Sequence, residues 1–279
     1  MRLGIVVVPE VVAENDGGTA ATVARIRGIG RAAEELGFAG LWVTDSIGRT
    51  WPSLDPLMLL TALAGETRRI ELGTGVLQLP LRHPVELAHR IQSLNLLAEG
   101  RLRLGVGAGS TEADFLAVEA DYGARFQALP AALETMRRVW CGEAVYGPAL
   151  PLWPGSEGGP PVLLGAWHRR RWIEMAAREC GGWIASGLYT SWADLEAGIA
   201  MYRGLGGGRV VLANVLTDLR PEPVPHPYVK HSTIDLICSP EEARGRLDRL
   251  GDLGVDDVLL LCPFDAPEVL EQAAGLSRP

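Results

Sequence analysis

Short apolar runs alternate with longer amphipathic runs along the chain, and this alternation limits the fold more strongly than any single motif. The strand-like runs are Leu3 to Val8, Gly40 to Thr44, Ile70 to Leu77, Arg103 to Val106, Val162 to Gly165, Trp183 to Ala185, Arg209 to Val215 and Asp257 to Leu261. The helical patterns lie near residues 21–36, 56–68, 84–98, 130–140, 169–179, 192–204, 240–251 and 266–275. Apolar strands that are each followed by a helix indicate a parallel sheet covered on both faces. These eight units predict an α/β fold, a closed (β/α)8 or TIM barrel spanning residues 1–279 as a single domain, with a doubly wound open sheet as the main alternative.

Proline residues mark the expected starts of several helices. They are Pro56, Pro84, Pro130 and Pro240. Proline is favoured at the first helical position because its missing N–H would have no partner there. Ser239 with Glu242 forms a capping-box pattern, and Ser191 with Asp194 forms a looser version of it. These signals support the helix starts independently of the apolar periodicity.

Composition and charge narrow the class of protein. Apolar residues make up 47% of the chain and charged residues 22%, which is ordinary for a soluble enzyme. The net charge of −8 argues against nucleic acid and anionic membranes as partners. The N-terminal apolar run is too short for a signal peptide, and no later run is long enough to span a membrane, so we expect a cytoplasmic protein. The cysteines show no metal-ligand spacing, so we expect no metal site and reduced, buried, inert thiols.

The connection from Thr217 to Cys238 is long and rich in proline. It follows the seventh predicted strand, on the face where barrels keep their active sites. We predict that residues 217–238 form a lid over the barrel mouth and are less ordered than the strands around them. An inert surface excursion is the alternative.

Function in a barrel is expected in the loops that follow the strands. The glycine-rich stretch LGVGAGS, residues 104–110, ends the fourth predicted strand. It does not match the dinucleotide pattern GxGxxG, because Ser110 occupies the third glycine position, and the chain contains no phosphate-binding GxxxxGK[ST] motif. Its exposed backbone N–H groups would suit a flat ring or a phosphate, whereas tight packing of the loop is the plainer alternative.

Four stretches together resemble the bacterial luciferase-like family of flavin- and deazaflavin-dependent oxidoreductases. They are AEELGFAGLWVTDS (33–46), IELGTGVLQLPLRHPVELA (70–88), EGRLRLGVGAGSTEADF (99–115) and SPEEARGRL (239–247). The resemblance implies a luciferase-like TIM barrel whose mouth holds reduced FMN or, alternatively, the deazaflavin F420. It also implies either oxygen insertion or hydride transfer without oxygen, and a homodimer that pairs through helices.

The resemblance assigns cofactor-binding residues by position. Those expected against the ring system are Gly75, Val76, Gly107, Ala108, Gly109 and Ser110, and those expected around the phosphate tail are Gly165, Ala166, Trp167, His168 and Arg169. Relatives often have a non-proline cis peptide at the step matching Gly75–Val76, so we predict one here, with Val76 supporting the buried face of the ring. This interpretation explains why a strand would contain Gly73 and Gly75, which cost stability in a strand interior.

Candidate catalytic and substrate residues follow from the same positions. Asp45, Ser46 and His83 are the catalytic candidates, while Trp51 and Gln78 are candidates for the substrate pocket. Each has a plainer alternative: His83 would cap a helix, Trp51 would pack in the core, and Asp45 would hydrogen-bond the ring rather than transfer a proton.

Departures from the family pattern leave the reaction open. F420-dependent relatives that oxidise sugars or alcohols commonly carry histidine after the second-strand aspartate, and some carry glutamate after the fourth strand; this chain has Ser46 and Ser110 there. Ala108 stands where luciferase has a phosphate-binding arginine. We therefore weigh a reduced-FMN-dependent monooxygenase, supplied by a separate flavin reductase and acting on a small organic substrate, against an F420-dependent oxidoreductase and a non-enzymatic flavin-binding protein.

Overall fold

A computed structural model describes residues 1–8, 18–48, 52–223, 229–263 and 267–276. The strands are β1 (Arg2–Val7), β2 (Gly40–Val43), β3 (Glu71–Thr74), β4 (Leu77–Gln78), β5 (Leu102–Gly107), β6 (Val162–Gly165), β7 (Gly182–Ser186), β8 (Arg209–Asp218), β9 (Leu236–Ile237) and β10 (Asp257–Leu261). The helices are α1 (Gly18–Glu35), α2 (Pro56–Glu66), α3 (Pro84–Leu97), α4 (Glu112–Leu116), α5 (Arg125–Trp140), α6 (Arg170–Glu179), α7 (Trp192–Gly204), α8 (Pro240–Asp252) and α9 (Pro267–Gly275). Single 3₁₀ turns cover Leu79–Leu81 and Val229–His231. None of the described helices has the length and apolar character needed to cross a membrane.

The strands belong to one sheet that closes on itself. Its order is β10-β1-β2-β3-β5-β6-β7-β8-β9, with β4 on β5, and β10 pairs with β8 as well as with β1. The pairings of β10 with β1 and β8, of β3 with β5, and of β7 with β6 and β8 are all parallel. The predicted TIM barrel is therefore confirmed, and the open-sheet alternative is wrong.

The chain divides into two compact units, and the first comprises Met1–Val7, Arg31–Trp42 and Val162–Pro279. An ion cluster lies where three of its strands begin. Arg209 donates to the buried Asp257 carboxylate from Nε at 2.7 Å and from Nη2 at 3.0 Å, and Arg2 Nε lies 2.8 Å from the same carboxylate. Because this is the amino end of the barrel strands, the cluster contributes to stability rather than to a site.

The second unit comprises Val8–Gly30 and Val43–Pro161. The fully buried Trp140 donates from Nε1 to Ala88 O at 3.0 Å, which fixes α5 against α3. Thr74 Oγ1 donates to Gly105 O at 2.6 Å and connects β3 to β5. The carboxyl ends of β2, β3 and β5 all belong to this unit.

The predicted helix starts are confirmed with one exception. Proline lies at the start of α2, α3 and α8, and Ser239 with Glu242 forms the predicted capping box. Pro130 instead lies inside α5, which begins at Arg125. The start lies earlier because Asp121 accepts hydrogen bonds from the N–H groups of Gly123 and Ala124, forming a turn that leads directly into the helix.

The expectation that all four cysteines are buried is wrong. None of the four cysteines, all of which lie in the described residues, is in a disulfide, but Cys141 is exposed at the end of α5 and only Cys262 is buried. Burial, and secondly the negative charge of Asp218, raises the pKa of the Cys262 thiol to about 12.

We expect Cys141 and Cys262 to differ sharply towards a disulfide reagent at mildly alkaline pH. Thiol–disulfide exchange needs the thiolate, so the raised pKa and the burial of Cys262 should slow its reaction by more than about a hundredfold. Counting fast and slow thiols in the folded protein, with a Cys262→Ala variant to assign the slow one, measures this. Rapid modification of Cys262 in the folded protein would contradict the burial.

The predicted lid is partly outside the described residues, because 224–228 are not described. Its described end is attached near the carboxyl end of β7: the N–H groups of Thr233 and Ile234 donate to Gly187 O at 2.8 and 2.9 Å. The segment also contributes the short strand β9, which pairs with the end of β8. Whether residues 217–238 act as a lid stays a prediction.

Candidate active site

The predicted third strand is divided at Gly75–Val76. The peptide bond between these residues is cis, as predicted. Gly73 pairs with Arg103 before the break and Leu77 pairs with Val106 after it, so four steps along this strand match three along β5. This one-residue excess is a β-bulge.

Val76 packs directly on the end of β5. A Cβ added at Gly107 would lie 2.6 Å from Val76 Cγ2, which no side chain at that position would tolerate. Gly107 is buried, whereas Val76 is partly exposed. We define the apolar surface formed by Gly75, Val76 and Gly107 as the floor of the site.

Gly109 is a glycine for two reasons. Its φ of +86° is a conformation that side chains rarely adopt, and an added Cβ would collide with Gln78 Oε1 and lie 2.8 Å from Phe115 Cε2. The missing side chains at Gly107 and Gly109 therefore make room for neighbouring protein atoms. The absence of these two side chains allows the floor to form.

Asp45 lies at the carboxyl end of β2 and forms a buried ion pair with Arg82. Arg82 donates from Nη1 to Asp45 Oδ2 at 2.6 Å and from Nη2 to Oδ1 at 2.8 Å. The Arg82 side chain is 9% exposed and the Asp45 side chain is 0% exposed. Burial lowers the pKa of the Arg82 guanidinium, but its hydrogen bond to Asp45 and the surrounding negative charges outweigh burial, so the pKa is raised overall. Bidentate geometry makes this the strongest kind of side-chain hydrogen bond.

A second buried carboxylate, Asp114 in α4, joins two loops. Its Oδ1 accepts from the N–H groups of Ile47 and Gly48 at 3.1 and 2.9 Å. Its Oδ2 accepts from Gln78 Nε2 at 2.9 Å, and the same nitrogen donates to Asp45 O at 3.0 Å. Gln78 N completes the network by donating to Asp45 Oδ2 at 2.9 Å. We call Asp45, Gln78, Arg82 and Asp114 the carboxylate network.

The structure gives each catalytic candidate a distinct setting. Both Asp45 oxygens accept hydrogen bonds, so the side chain is held in place, and Ser46 beside it is buried. His83 is exposed at the position before α3, makes no capping hydrogen bond, and lies 5.7 Å from the Tyr146 ring centroid. Their catalytic roles stay predictions.

Only one of the two substrate-pocket candidates lies in the part of the chain that the structure describes. Trp51 lies outside the described residues. Gln78 is buried, and its Oε1 has no hydrogen-bond partner among the described residues. An unpaired buried acceptor is unusual and calls for a donor.

The predicted phosphate-tail residues lie in the first unit, after β6. The Ala166 N–H donates to Ile184 O at 2.9 Å and Ala166 O accepts from Trp183 Nε1 at 2.7 Å, so the backbone groups of this residue are already used. Trp167, His168 and Arg169 are exposed, and Gly165 is partly exposed. The tail assignment therefore stays a prediction that depends on His168, Arg169 and the start of α6.

Sequence reasoning missed Arg82, Asp114 and Tyr122. Tyr122 donates from its hydroxyl to Ser110 O at 3.0 Å and packs edge-on against Phe115, which fixes the exposed Ser110. Arg82 had a signal, because it lies between a strand end and a helix start. Asp114 and Tyr122 had none, since nothing in their local pattern shows burial or a distant partner.

Comparison with known proteins identifies the class. The luciferase-like monooxygenase family matches residues 1–207, and the chain belongs to this family. One relative is the 4-hydroxyprotoasukamycin monooxygenase of Streptomyces nodosus subsp. asukaensis, which is 43% identical over 31% of this chain and 24% of that protein. Another is the F420-dependent hydroxymycolic acid dehydrogenase of Mycobacterium tuberculosis, which is 29% identical over 61% of this chain and 51% of that protein. The chain thus spans between about a quarter and half the length of these relatives.

Solved structures share the fold over nearly the full chain. The monooxygenase RslO1 from Streptomyces bottropensis superposes with a TM-score of 0.84 at 19% identity, covering 99% of this chain and 98% of that one. The oxygenating constituent of 3,6-diketocamphane monooxygenase from Pseudomonas putida, in complex with FMN, superposes with a TM-score of 0.74 at 16% identity. This match covers 99% of this chain and 96% of that one. At these identities the likeness shows the fold alone. The family includes both FMN monooxygenases and F420-dependent oxidoreductases.

Proposed function

We propose that this chain is a reduced-FMN-dependent monooxygenase that acts on a small organic substrate. The observation that carries the proposal is the carboxylate network. Oxidation of an alcohol by hydride transfer needs a group that accepts the hydroxyl proton. Asp45 and Asp114 each accept at least three hydrogen bonds, and Ser46 and Ser110 offer no titratable group. His83, the remaining titratable candidate, is exposed at the start of α3 and is not part of this network, so the arrangement favours oxygen insertion over alcohol oxidation.

The floor and Gln78 fit a flat heteroaromatic ring. Val76 is apolar and partly exposed, and Gln78 Oε1 lacks a hydrogen-bond donor among the described residues, which a ring N–H would supply. When bound, reduced FMN supplies oxygen activation. The chain supports the ring through Val76, keeps the floor in position through the carboxylate network, and excludes water through its buried apolar packing. A separate flavin reductase would supply the reduced cofactor.

An F420-dependent oxidoreductase is the second candidate. It is favoured by the F420-dependent dehydrogenase of Mycobacterium tuberculosis, which matches a larger share of this chain than the Streptomyces monooxygenase does. A non-enzymatic flavin-binding protein is the third, because of Ser46 and Ser110.

Titration of the purified protein with FMN and with F420, each oxidised and reduced, tests the proposal. We expect reduced FMN to bind more tightly than oxidised FMN and than either form of F420. Because free reduced FMN also consumes oxygen, the oxidation rate with protein is compared with the rate for the same concentration of free reduced FMN. A rate that saturates with protein and differs from the free rate separates an oxygen-using enzyme from a protein that only releases the cofactor into solution. Tight binding of F420 with no affinity for FMN would overturn the proposal in favour of the second candidate.

We also expect a homodimer in a cytoplasmic location. The exposed apolar side chains Met58 of α2 and Leu96 and Leu97 of α3 lie on two neighbouring helices and support pairing through helices. Light scattering at micromolar concentration should give about twice the chain mass of 29.9 kDa. A Leu97→Glu variant should lower that mass, with Leu205→Glu as an exposed control on another helix end. A monomer mass for the unmodified protein would contradict the pairing.

A further inference from the structure

Three loops of the first unit each contribute one exposed ring. Trp167 follows β6, Tyr189 follows β7 and His231 lies in the segment after β8. The Trp167 and Tyr189 ring centroids are 4.4 Å apart with a 30° angle between the planes, and Tyr189 and His231 are 6.2 Å apart at 40°. We call these three residues the aromatic rim. All of them follow the carboxyl ends of strands, where barrel enzymes bind their substrates.

Hydrogen bonds through two threonines connect the three loops. Thr190 Oγ1 donates to Trp167 O at 3.1 Å and joins the loops after β6 and β7. Thr233 Oγ1 lies 2.8 Å from both Thr190 O and Gly187 O, and so joins the loop after β7 to the segment after β8. The three segments that carry the rings are therefore joined to one another, and the rim does not depend on ring stacking alone for its shape.

The rings are far more exposed than buried packing requires. Trp167 is 41% exposed and Tyr189 is 40% exposed, although they already stack on each other. Of the other tryptophans in this unit, Trp42 and Trp183 are fully buried and Trp172 and Trp192 are only partly exposed. Tilted rings that stay this exposed are suited to a further planar group, because aromatic pairing contributes about 0.5–1.5 kcal/mol beyond the area that it buries. A saturated group of equal size has no such term.

We propose that the aromatic rim binds a planar aromatic or conjugated group of the organic substrate, so that the substrate class is planar rather than saturated. This inference names a substrate class for the proposed function, so the statement that the bound molecule is a substrate rests on that function. The binding surface itself rests only on the rim. Tyr189 and His231 also bring a hydroxyl and an imidazole to its border, which suits a ring that carries a polar substituent.

Calorimetric titration with 2-naphthol and with decahydro-2-naphthol tests this proposal. The two probes share a skeleton and a hydroxyl group and differ in planarity. We expect saturable binding of 2-naphthol and at least about threefold weaker binding of the saturated probe. Trp167→Leu and Tyr189→Leu should each weaken 2-naphthol binding by about three- to tenfold while leaving the saturated probe nearly unchanged. Trp153→Leu, which removes a tryptophan of similar exposure (49%) from the other unit, should change neither.

The same titrations with saturating reduced FMN separate the two proposals. Binding of 2-naphthol that depends on Trp167 and persists with FMN present supports the rim as a substrate surface. If FMN does not bind but the dependence on Trp167 remains, the proposed function fails and the rim stands. Equal affinity for the two probes, unchanged affinity in both rim variants, or no saturable binding up to the solubility limit of 2-naphthol would overturn the rim. Loss of 2-naphthol binding when FMN is added would overturn it as a substrate surface and assign the rings to the cofactor.

Discussion

Replacing Arg82 with methionine should lower the free energy of unfolding by about 3–5 kcal/mol, because it leaves the Asp45 carboxylate buried without its counter-ion. Asp45 is fully buried and receives two of its hydrogen bonds from Arg82. Methionine keeps most of the aliphatic volume, so the loss reports the charge rather than a cavity. Urea unfolding should show a lower midpoint with an unchanged slope.

Arg90→Met is the matched control for Arg82→Met. Arg90 also lies near two carboxylates, Asp55 at 3.4 Å and Glu86 at 3.6 Å, but it is 28% exposed. Exposed ion pairs contribute little, so we expect a loss below about 1 kcal/mol. The double variant Asp45→Asn with Arg82→Met should lose less free energy of unfolding than the sum of the losses in the two single variants, because the two side chains are in direct contact. Equal losses for Arg82→Met and Arg90→Met would show that burial of the pair is not what matters.

Replacing Asp114 with alanine should lower the free energy of unfolding by about 3 kcal/mol. The substitution removes the acceptor for the N–H groups of Ile47 and Gly48 and for the Gln78 amide, and an unsatisfied buried donor costs about 1–3 kcal/mol. Water reaches part of the loop at Ile47, which is exposed, so the full sum is not expected. Hydrogen exchange at the Ile47 and Gly48 amides should become much faster than in the unmodified protein.

Asp121→Ala serves as the control for Asp114→Ala. Asp121 also accepts from two backbone N–H groups, those of Gly123 and Ala124, but in an exposed turn. Water replaces the lost acceptor there, so the expected cost is below about 1 kcal/mol. Equal losses in the free energy of unfolding for Asp114→Ala and Asp121→Ala would show that burial does not increase the contribution of Asp114.

Local chemistry made much of the fold predictable from the sequence. A proline at the first helical position and a capping box act within a few residues, and so the starts of α2, α3 and α8 could be placed without knowing the tertiary structure. The same rule placed the start of α5 at Pro130 wrongly. The turn at Asp121 and the stacking of Arg125 on the Tyr122 ring at 3.7 Å start that helix earlier, and neither is visible in apolar periodicity.

The site was less predictable because its partners are far apart in the chain. The resemblance placed the cis step at Gly75–Val76, and Asp45 stood out at a strand end. The residues that hold Asp45 and the loop at Gly48 are 37 and 66 positions away, respectively, at Arg82 and Asp114. No local pattern encodes such pairs. The glycines illustrate the same limit: the sequence showed that side chains were missing, but only the fold shows that Val76 and Gln78 occupy the space.

We propose above all that the floor at Gly75, Val76 and Gly107 carries the ring of reduced FMN. An anaerobic crystal structure of the complex with reduced FMN tests this most directly. We predict ring atoms in van der Waals contact with the Val76 side chain, at about 3.5–4 Å between carbon atoms, and a ring N–H directed towards Gln78 Oε1. A structure in which the flavin ring lies out of contact with Val76 would contradict the account.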